Sequence, residues 1–302
     1  MSKVATSSQR EMTNFFSSIR TVVRVRGVFS LILGLIQGVA EFLPISSSGH
    51  LSVFQNVFSM QTAEDGHMFF DVLLHLGTLA AVIAAYWSDI KSMVIEVLAI
   101  FRGIRHPSQE PECRRPAGRL ALMLVLGTLP LFLILPVKDQ IEKLYYSTFF
   151  IGLVFLLTGC MLYISDRMAQ GNKREGTMRV RDALLIGLCQ CVGTIPGLSR
   201  SGVTITAGLA TGLDRKFAVK FSLLLSIPAV LGANLLGLLD AIGEPFDWAC
   251  VPAYLVGMVT AAVSGYFAIR LLRYIADRRR FGAFAYYCWG IGVVTIILSM
   301  IF

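Results

Sequence analysis

Charge is scarce in this sequence. Asp, Glu, Lys and Arg make up 15% of its 302 residues, while 55% are hydrophobic. A soluble domain carries about 25% charged and about 45–50% apolar residues. The shortfall argues against a water-soluble enzyme and points to the bilayer. Cysteine is also sparse and scattered: Cys113, Cys160, Cys189, Cys191, Cys250 and Cys288. Most lie in apolar runs, where cysteine acts as a small hydrophobe. Cys189 and Cys191 are close, but no second pair or histidine cluster completes a metal site. No cleavable leader is expected either. The segment MSKVATSSQREMTNFFSSIRTVVRVRG is polar and basic, with no short apolar core before a small-residue cleavage site. The expectation is an uncleaved chain targeted by its first hydrophobic segments. The net charge is +8. Basic cytoplasmic loops account for most of it, with attraction to anionic lipid or phosphate as the alternative.

What is abundant is membrane-length apolar sequence. About 20 such residues cross a bilayer as a helix. Six segments qualify: Phe69–Trp87, Leu120–Val137, Thr148–Ile164, Phe217–Leu239, Val251–Ile269 and Ala283–Phe302. Two further stretches are interrupted. Val28–Phe58 is broken at Pro44 by PISSSG, and Ala183–Leu213 at Pro196 by PGLSRSG. Basic residues crowd three loops, around Arg102–Arg119, Arg167–Arg181 and Arg270–Arg280. These loops are expected in the cytoplasm. The segments DAIGEPFDWACVP and KDQIEKLYY are expected outside. The six spans alternate only if each broken segment enters and leaves on one side, as a re-entrant hairpin. The basic arm, residues 1–26, then falls outside or lies along a membrane surface.

The interrupted stretches match each other. Shifted by 153 positions, LGLIQGVAEFLPISSSG falls on IGLCQCVGTIPGLSRSG without a gap. Gln37 meets Gln190, Ser46 meets Ser199, Ser48 meets Ser201 and Gly49 meets Gly202. Three spans follow each hairpin, so the second copy is inverted, an arrangement that brings broken helices together near the bilayer midplane. The expected fold is therefore an all-α polytopic membrane protein with an inverted-topology repeat: six transmembrane helices plus two re-entrant helical hairpins. Residues 27–302 form one membrane domain, with repeats at about 27–165 and 182–302.

Backbone breaks at membrane depth are tolerated only when buried in protein or lining a wet cavity. Pro44 cannot continue a helix, and Ser46 or Ser47 can cap a new one. Pro196-Gly197 and Ser199 repeat the device. Each hairpin thus presents a helix N-terminus, which binds anions and phosphate above all. Arg200 strengthens that site. Gln37 and Glu41, four apart, share a helix face. A carboxylate beside a phosphate repels it unless a cation intervenes, and Mg²⁺ takes carboxylate and phosphate oxygens together. Glu41 would carry the charge, and Gln37 a carbonyl oxygen or a supporting hydrogen bond. His50, one turn past the serines, could attack phosphorus or move protons. Serines often only pack between membrane helices. Intramembrane Glu41 and Arg200 are harder to explain without a function. Asp71 and His75, also four apart, are either partners of the site or a helix-end pair.

These residues resemble the undecaprenyl-diphosphate phosphatase family of the bacitracin-resistance type. QGVAE (Gln37–Glu41) runs into PISSSGH (Pro44–His50), PGLSRSG (Pro196–Gly202) follows, and FDVLLHLGT (Phe70–Thr78) is shared too. The resemblance covers the chain from about residue 27. It implies Mg²⁺- or Ca²⁺-assisted removal of the terminal phosphate from a C55 isoprenoid diphosphate, which recycles the lipid carrier of cell-wall synthesis and gives bacitracin resistance. It places the protein in the bacterial plasma membrane, its site facing the periplasmic or outer side. The essential residues it implies are Glu41, His50 and Arg200, with Ser47 beside the phosphates. Ser46, Ser48, Gly49, Ser199, Ser201, Gly202 and Thr204 are the expected substrate-binding set, and Glu41 and Gln37 the metal ligands. Either His50 or Ser47 can be the nucleophile; His50 is favoured, because imidazole is nucleophilic near neutral pH. Many members carry Glu where this chain has Gln37, so weaker metal binding is expected. The expected partners are a polyprenyl diphosphate, membrane lipids and, in one reading, a second copy in a homodimer; nucleic acid is not among them. A lipid-phosphate transporter is the rival reading, but it gives the Glu41/His50 pair no task.

Overall fold

Proline dictates where the first hairpin breaks. Helix α1, Gly27–Phe42, stops one residue before the Leu43-Pro44 pair. Proline lacks an N–H and drives the residue before it out of helical geometry. The chain turns through residues 43–46 and restarts as α2, Ser47–Val57. The second interrupted stretch behaves alike: α8 is Val180–Val192 and α9 is Arg200–Ala210. Between them Gly197 has φ 89°, a left-handed conformation that glycine adopts without penalty. The computed structural model describes residues 27–58, 67–102, 116–240, 248–278 and 281–301. The basic arm 1–26, Cys113, Arg105, Arg114, Arg115, Arg279, Arg280 and residues 241–247 of the expected external loop lie outside the described residues.

The remaining elements are helical. They are α3 (His67–Ala85), α4 (Trp87–Phe101), α5 (Pro116–Thr128), α6 (Lys138–Leu144), α7 (Thr148–Asp166), α10 (Arg215–Asp240), α11 (Val251–Asp277) and α12 (Gly282–Ile301). Among the described residues the one β contact is an isolated bridge between Lys173 and Leu213. Five helical segments are long and apolar enough to cross a membrane, and six if the bent α3–α4 pair counts as one. Each expected span overlaps one of them. Two departures have local causes. The Leu120–Val137 span is α-helical only to Thr128, then a 3₁₀ helix over Leu129–Val137 that contains Pro130 and Pro136; proline removes the donor that an α-helical ladder needs. The stretch after Trp87 is not a loop but α4, turned 79° from α3.

Helix α7 packs along α12, and α3 along α11. The bundle interior is apolar, with Leu74, Phe155, Phe221 and Leu272 almost fully buried. Its outside is apolar too: Leu35, Phe132, Leu133, Leu157, Phe267 and Met300 are exposed. In water such a surface would drive association; in lipid it meets a matching solvent.

The two ends of each broken stretch lie side by side. In the first, the Phe29 ring meets Phe54 and Phe58 edge-on, with centroids 6.2 and 6.0 Å apart. In the second, Lys173 Nζ donates to both carboxylate oxygens of Asp182, at 3.0 and 2.9 Å, and to the Thr211 carbonyl at 2.6 Å. One ammonium thus ties the start of α8 to the end of α9. Asp182 is buried and also accepts from the Arg179 amide at 2.9 Å, as a first-turn acid does. Lys173→Met would leave that carboxylate only the Arg179 amide and, at 3.9 Å, the exposed Arg181 side chain. Breaking a buried pair from one side costs about 3–5 kcal/mol, so the thermal midpoint in detergent should fall sharply and recover in part in Lys173→Met/Asp182→Leu.

Candidate active site

Both restarted helices are capped by the same device. The Ser46 hydroxyl accepts from the Gly49 amide at 3.2 Å, and the Ser199 hydroxyl from the Gly202 amide at 3.1 Å. Each cap also meets the second serine of its motif, Ser46 with Ser48 at 3.3 Å and Ser199 with Ser201 at 3.2 Å. These caps use the third amide of each first turn. The amides of Ser47, Ser48, Arg200 and Ser201 precede the first intrahelical bond and remain as donors for an anion. The first cap is strained: Ser46 has φ 69°, which a residue with a Cβ adopts at a cost of about 1–3 kcal/mol when the surroundings impose it.

The two breaks touch. Ser201 Oγ donates to the Leu43 carbonyl at 3.3 Å. A Cβ on Gly49 would stand 2.8 Å from Gly197 Cα and 2.7 Å from the Phe155 ring. Only hydrogen at that position lets the breaks close on each other. Glu41 is the hub of the junction. Its Oε1 receives the Arg200 guanidinium from the other hairpin. Its Oε2 accepts from Ser47 Oγ at 2.6 Å and from Gln37 Nε2 at 3.1 Å, with His75 Nε2 at 3.9 Å. The Glu41 side chain is 5% exposed and that of Arg200 22%. A buried carboxylate of this kind requires partners of this kind.

Ser47, Glu41, Gln37 and Arg200 therefore converge as expected, and Ser46, Ser48, Gly49, Ser199, Ser201 and Gly202 surround them. Thr204 does not join them: its hydroxyl meets Ser222 Oγ at 2.6 Å and fixes α9 to α10. His50 stands apart from the carboxylate. Its Nδ1 is 2.7 Å from the Ser46 carbonyl and its Nε2 2.8 Å from Tyr287 Oη. The imidazole stacks on Tyr287 and meets Phe155 edge-on. It heads an apolar groove of about 220 Å³ that includes Ile36, Val53, Phe54 and Leu298. A larger cleft, of about 640 Å³ and lined by Arg174, Lys216 and Arg273 among others, shares no residue with this constellation.

Tyr145 is a member that no sequence pattern marks. Its hydroxyl donates to the Thr194 carbonyl at 3.4 Å and interacts with the Ser48 side chain, so it spans both breaks. Asn56 Nδ2 holds its backbone through the Tyr145 carbonyl at 3.1 Å. Burial pushes the Tyr145 phenol up to about 12, so it keeps its proton at any physiological pH. The only hint is its place between two expected spans, beside polar residues.

Among the described residues no three His, Cys, Asp or Glu side chains form a metal cage. The donors fit a smaller demand. Gln37 Oε1 is buried without a hydrogen-bond partner on the residue next to the Glu41 carboxylate. One carboxylate and one amide oxygen, completed by phosphate oxygens, make a donor set of the type Mg²⁺ uses.

Comparison with known proteins identifies the family. The family described as bacitracin resistance protein BacA matches residues 30–294. The chain belongs to this family. Among its relatives, the undecaprenyl-diphosphatase of Methanosphaera stadtmanae is 38% identical over 277 residues, covering 90% of this chain and 98% of the relative. Those of Desulfosudis oleivorans and Methanobrevibacter smithii are 40% and 39% identical, each covering 97% of the relative and 89% and 90% of this chain. With its apolar spans, this BacA-family chain is a multi-pass membrane protein.

Closure of the two breaks depends on Gly49. Gly49→Ala must push the Phe155 ring or the Gly197 backbone aside, and overpacking of this kind costs about 1–3 kcal/mol. The expected result is a lower unfolding midpoint in detergent together with loss of any activity that needs Arg200 beside Glu41.

Proposed function

We propose that this chain hydrolyses undecaprenyl diphosphate to undecaprenyl phosphate and inorganic phosphate, recycling the lipid carrier for cell-wall synthesis and conferring bacitracin resistance. The observation that carries the reading is the Ser47–Glu41–Arg200 constellation between two serine-capped helix N-termini. Free amides and Arg200 would receive the diphosphate oxygens, and such positioning and charge stabilisation supply most of phosphoryl-transfer catalysis. Ser47 Oγ attacks the terminal phosphorus while Glu41 takes its proton. The bond from that phosphorus to the bridging oxygen breaks, and undecaprenyl phosphate leaves with the proton. Water then attacks the phosphoserine, releasing phosphate and restoring the hydroxyl. The chemistry that a bound Mg²⁺ or Ca²⁺ supplies is neutralisation of the carboxylate–phosphate repulsion, with Glu41 and Gln37 as its protein ligands.

The geometry supports Ser47 over His50 as the nucleophile. A serine needs a base, and Glu41 is 2.6 Å away. Both His50 nitrogens already have partners. His50 and the groove below it suit the first isoprene units, with the rest of the tail left in lipid. The paired ends of α1–α2 and α8–α9 favour two re-entrant hairpins, and the basic loops favour a site open to the periplasmic or outer face of the plasma membrane. All of the constellation comes from one chain, so a homodimer is not needed to build it.

The test is phosphate release from a long-chain prenyl diphosphate in detergent with Mg²⁺, repeated with EDTA. Ser47→Ala, Glu41→Gln and Arg200→Ala should each lower kcat by about 100-fold or more, and EDTA should abolish release. His50→Ala should mainly raise KM. Mass spectrometry of quenched enzyme should find phosphate on Ser47. Phosphate on His50 would reverse the choice of nucleophile, and full activity of all three variants would end the assignment.

A further inference from the structure

His75 is the one neighbour of the Glu41 carboxylate that the reaction above leaves without a task. It lies on α3, and its side chain is 33% exposed. Its Nδ1 is 2.8 Å from the Asp71 carbonyl. A carbonyl only accepts, so Nδ1 carries a proton and Nε2, which points away from α3, is the nitrogen that could offer a lone pair to a cation. That nitrogen stands 3.9 Å from Glu41 Oε2. A charge-assisted N–H···O bond would draw the two to about 2.7–2.9 Å. Two acceptors at this longer spacing instead suit a cation between them. Bonds from a divalent ion to imidazole nitrogen or carboxylate oxygen are each about 2.0–2.2 Å, so one ion can touch both atoms. The third donor is at hand, since Gln37 bonds the same Oε2 through Nε2 while its buried Oε1 has no partner.

We propose that His75 Nε2 is a ligand of the divalent ion that Glu41 holds. This rests on the metal-assisted reading and deepens it. A neutral amide at position 37 leaves one carboxylate at the ion, and an imidazole from a different helix completes the protein's donors without adding charge. It also tilts preference among ions, because imidazole suits later transition ions better than Ca²⁺.

The probe is Mn²⁺ bound to the full-length protein in detergent, followed by electron spin-echo spectroscopy. Wild type should show the ¹⁴N modulation of a directly bound imidazole. Labelling its histidines with ¹⁵N should replace that pattern, a readout that needs no variant. His50→Gln should keep the modulation, and His75→Gln should lose it and weaken Mn²⁺ binding about tenfold, with Ca²⁺ binding changed far less. Mn²⁺ bound without nitrogen coupling in wild type, or coupling that survives in His75→Gln, would overturn the assignment of His75 and leave metal-assisted hydrolysis standing. Failure of wild type to bind Mn²⁺ at all would overturn both.

Discussion

The Glu41–Arg200 pair is the constraint from which the rest of the site follows. Two charges taken out of water cost several kcal/mol each, and their attraction offsets this only with good geometry and further hydrogen bonds. Hydrophobic residues of the same volume would hold two hairpins together at least as well. A buried pair is therefore poor evidence for stability and better evidence for a task. Here the pair joins the two interrupted stretches at the point where both backbones are broken, and Ser47 and Gln37 supply the extra hydrogen bonds to the carboxylate. An entering diphosphate would offer Arg200 a second set of anionic oxygens. A pair that a ligand can share is a reason to keep charge inside a membrane.

The scaffold is repeated but the chemistry is not. At the 153-residue offset the caps coincide, Ser46 with Ser199, and so do the capped amides of Gly49 and Gly202. Helices α2 and α9 have equal length, 11 residues each. At the same offset Ser47 corresponds to Arg200, each the first residue of its helix. One hairpin thus offers a hydroxyl where the other offers a guanidinium, and the two meet on opposite oxygens of one carboxylate. Glu41 itself corresponds to Thr194 and His50 to Val203. A serine-capped turn stands at both breaks. What differs is the side chain each turn brings to Glu41, Ser47 from one and Arg200 from the other.

Much of this was legible before any coordinates. Hydropathy located the spans, because lipid leaves the backbone few alternatives to helix. Pro44 and Pro196 marked the breaks, and the serines after them marked the caps, because these residue types act locally. The repeat brought Glu41 and Arg200 into one argument, though they are 159 positions apart. What stayed hidden depends on tertiary contact. Helix α4 carries Asp89, Lys91 and Glu96 in only 15 residues, so neither its length nor its polarity resembles a span. Tyr145 gains its place from Asn56 of α2, and no spacing in the sequence foretells that pairing. His50 shows the same limit. Its position one turn beyond the cap suggests chemistry, but the rings of Phe155 and Tyr287 set its direction.

Gln37 shows how such a site balances its charges. A carboxylate at that position would put two anions within one helical turn, with Arg200 already committed to Glu41 Oε1. The amide donates to Glu41 Oε2 instead of repelling it. The junction can therefore close without a second cation, and Glu41 stays oriented toward Ser47. The consequence is a less negative site, in which a divalent ion of the kind proposed would be held by fewer charges and more by the arrangement of neutral donors. Distance and angle would then matter more than net charge and would tie the hold on such an ion to the closeness of the two breaks. That closeness is set by Gly49 against Gly197. Packing at a glycine and affinity for a cation thus become parts of one physical problem.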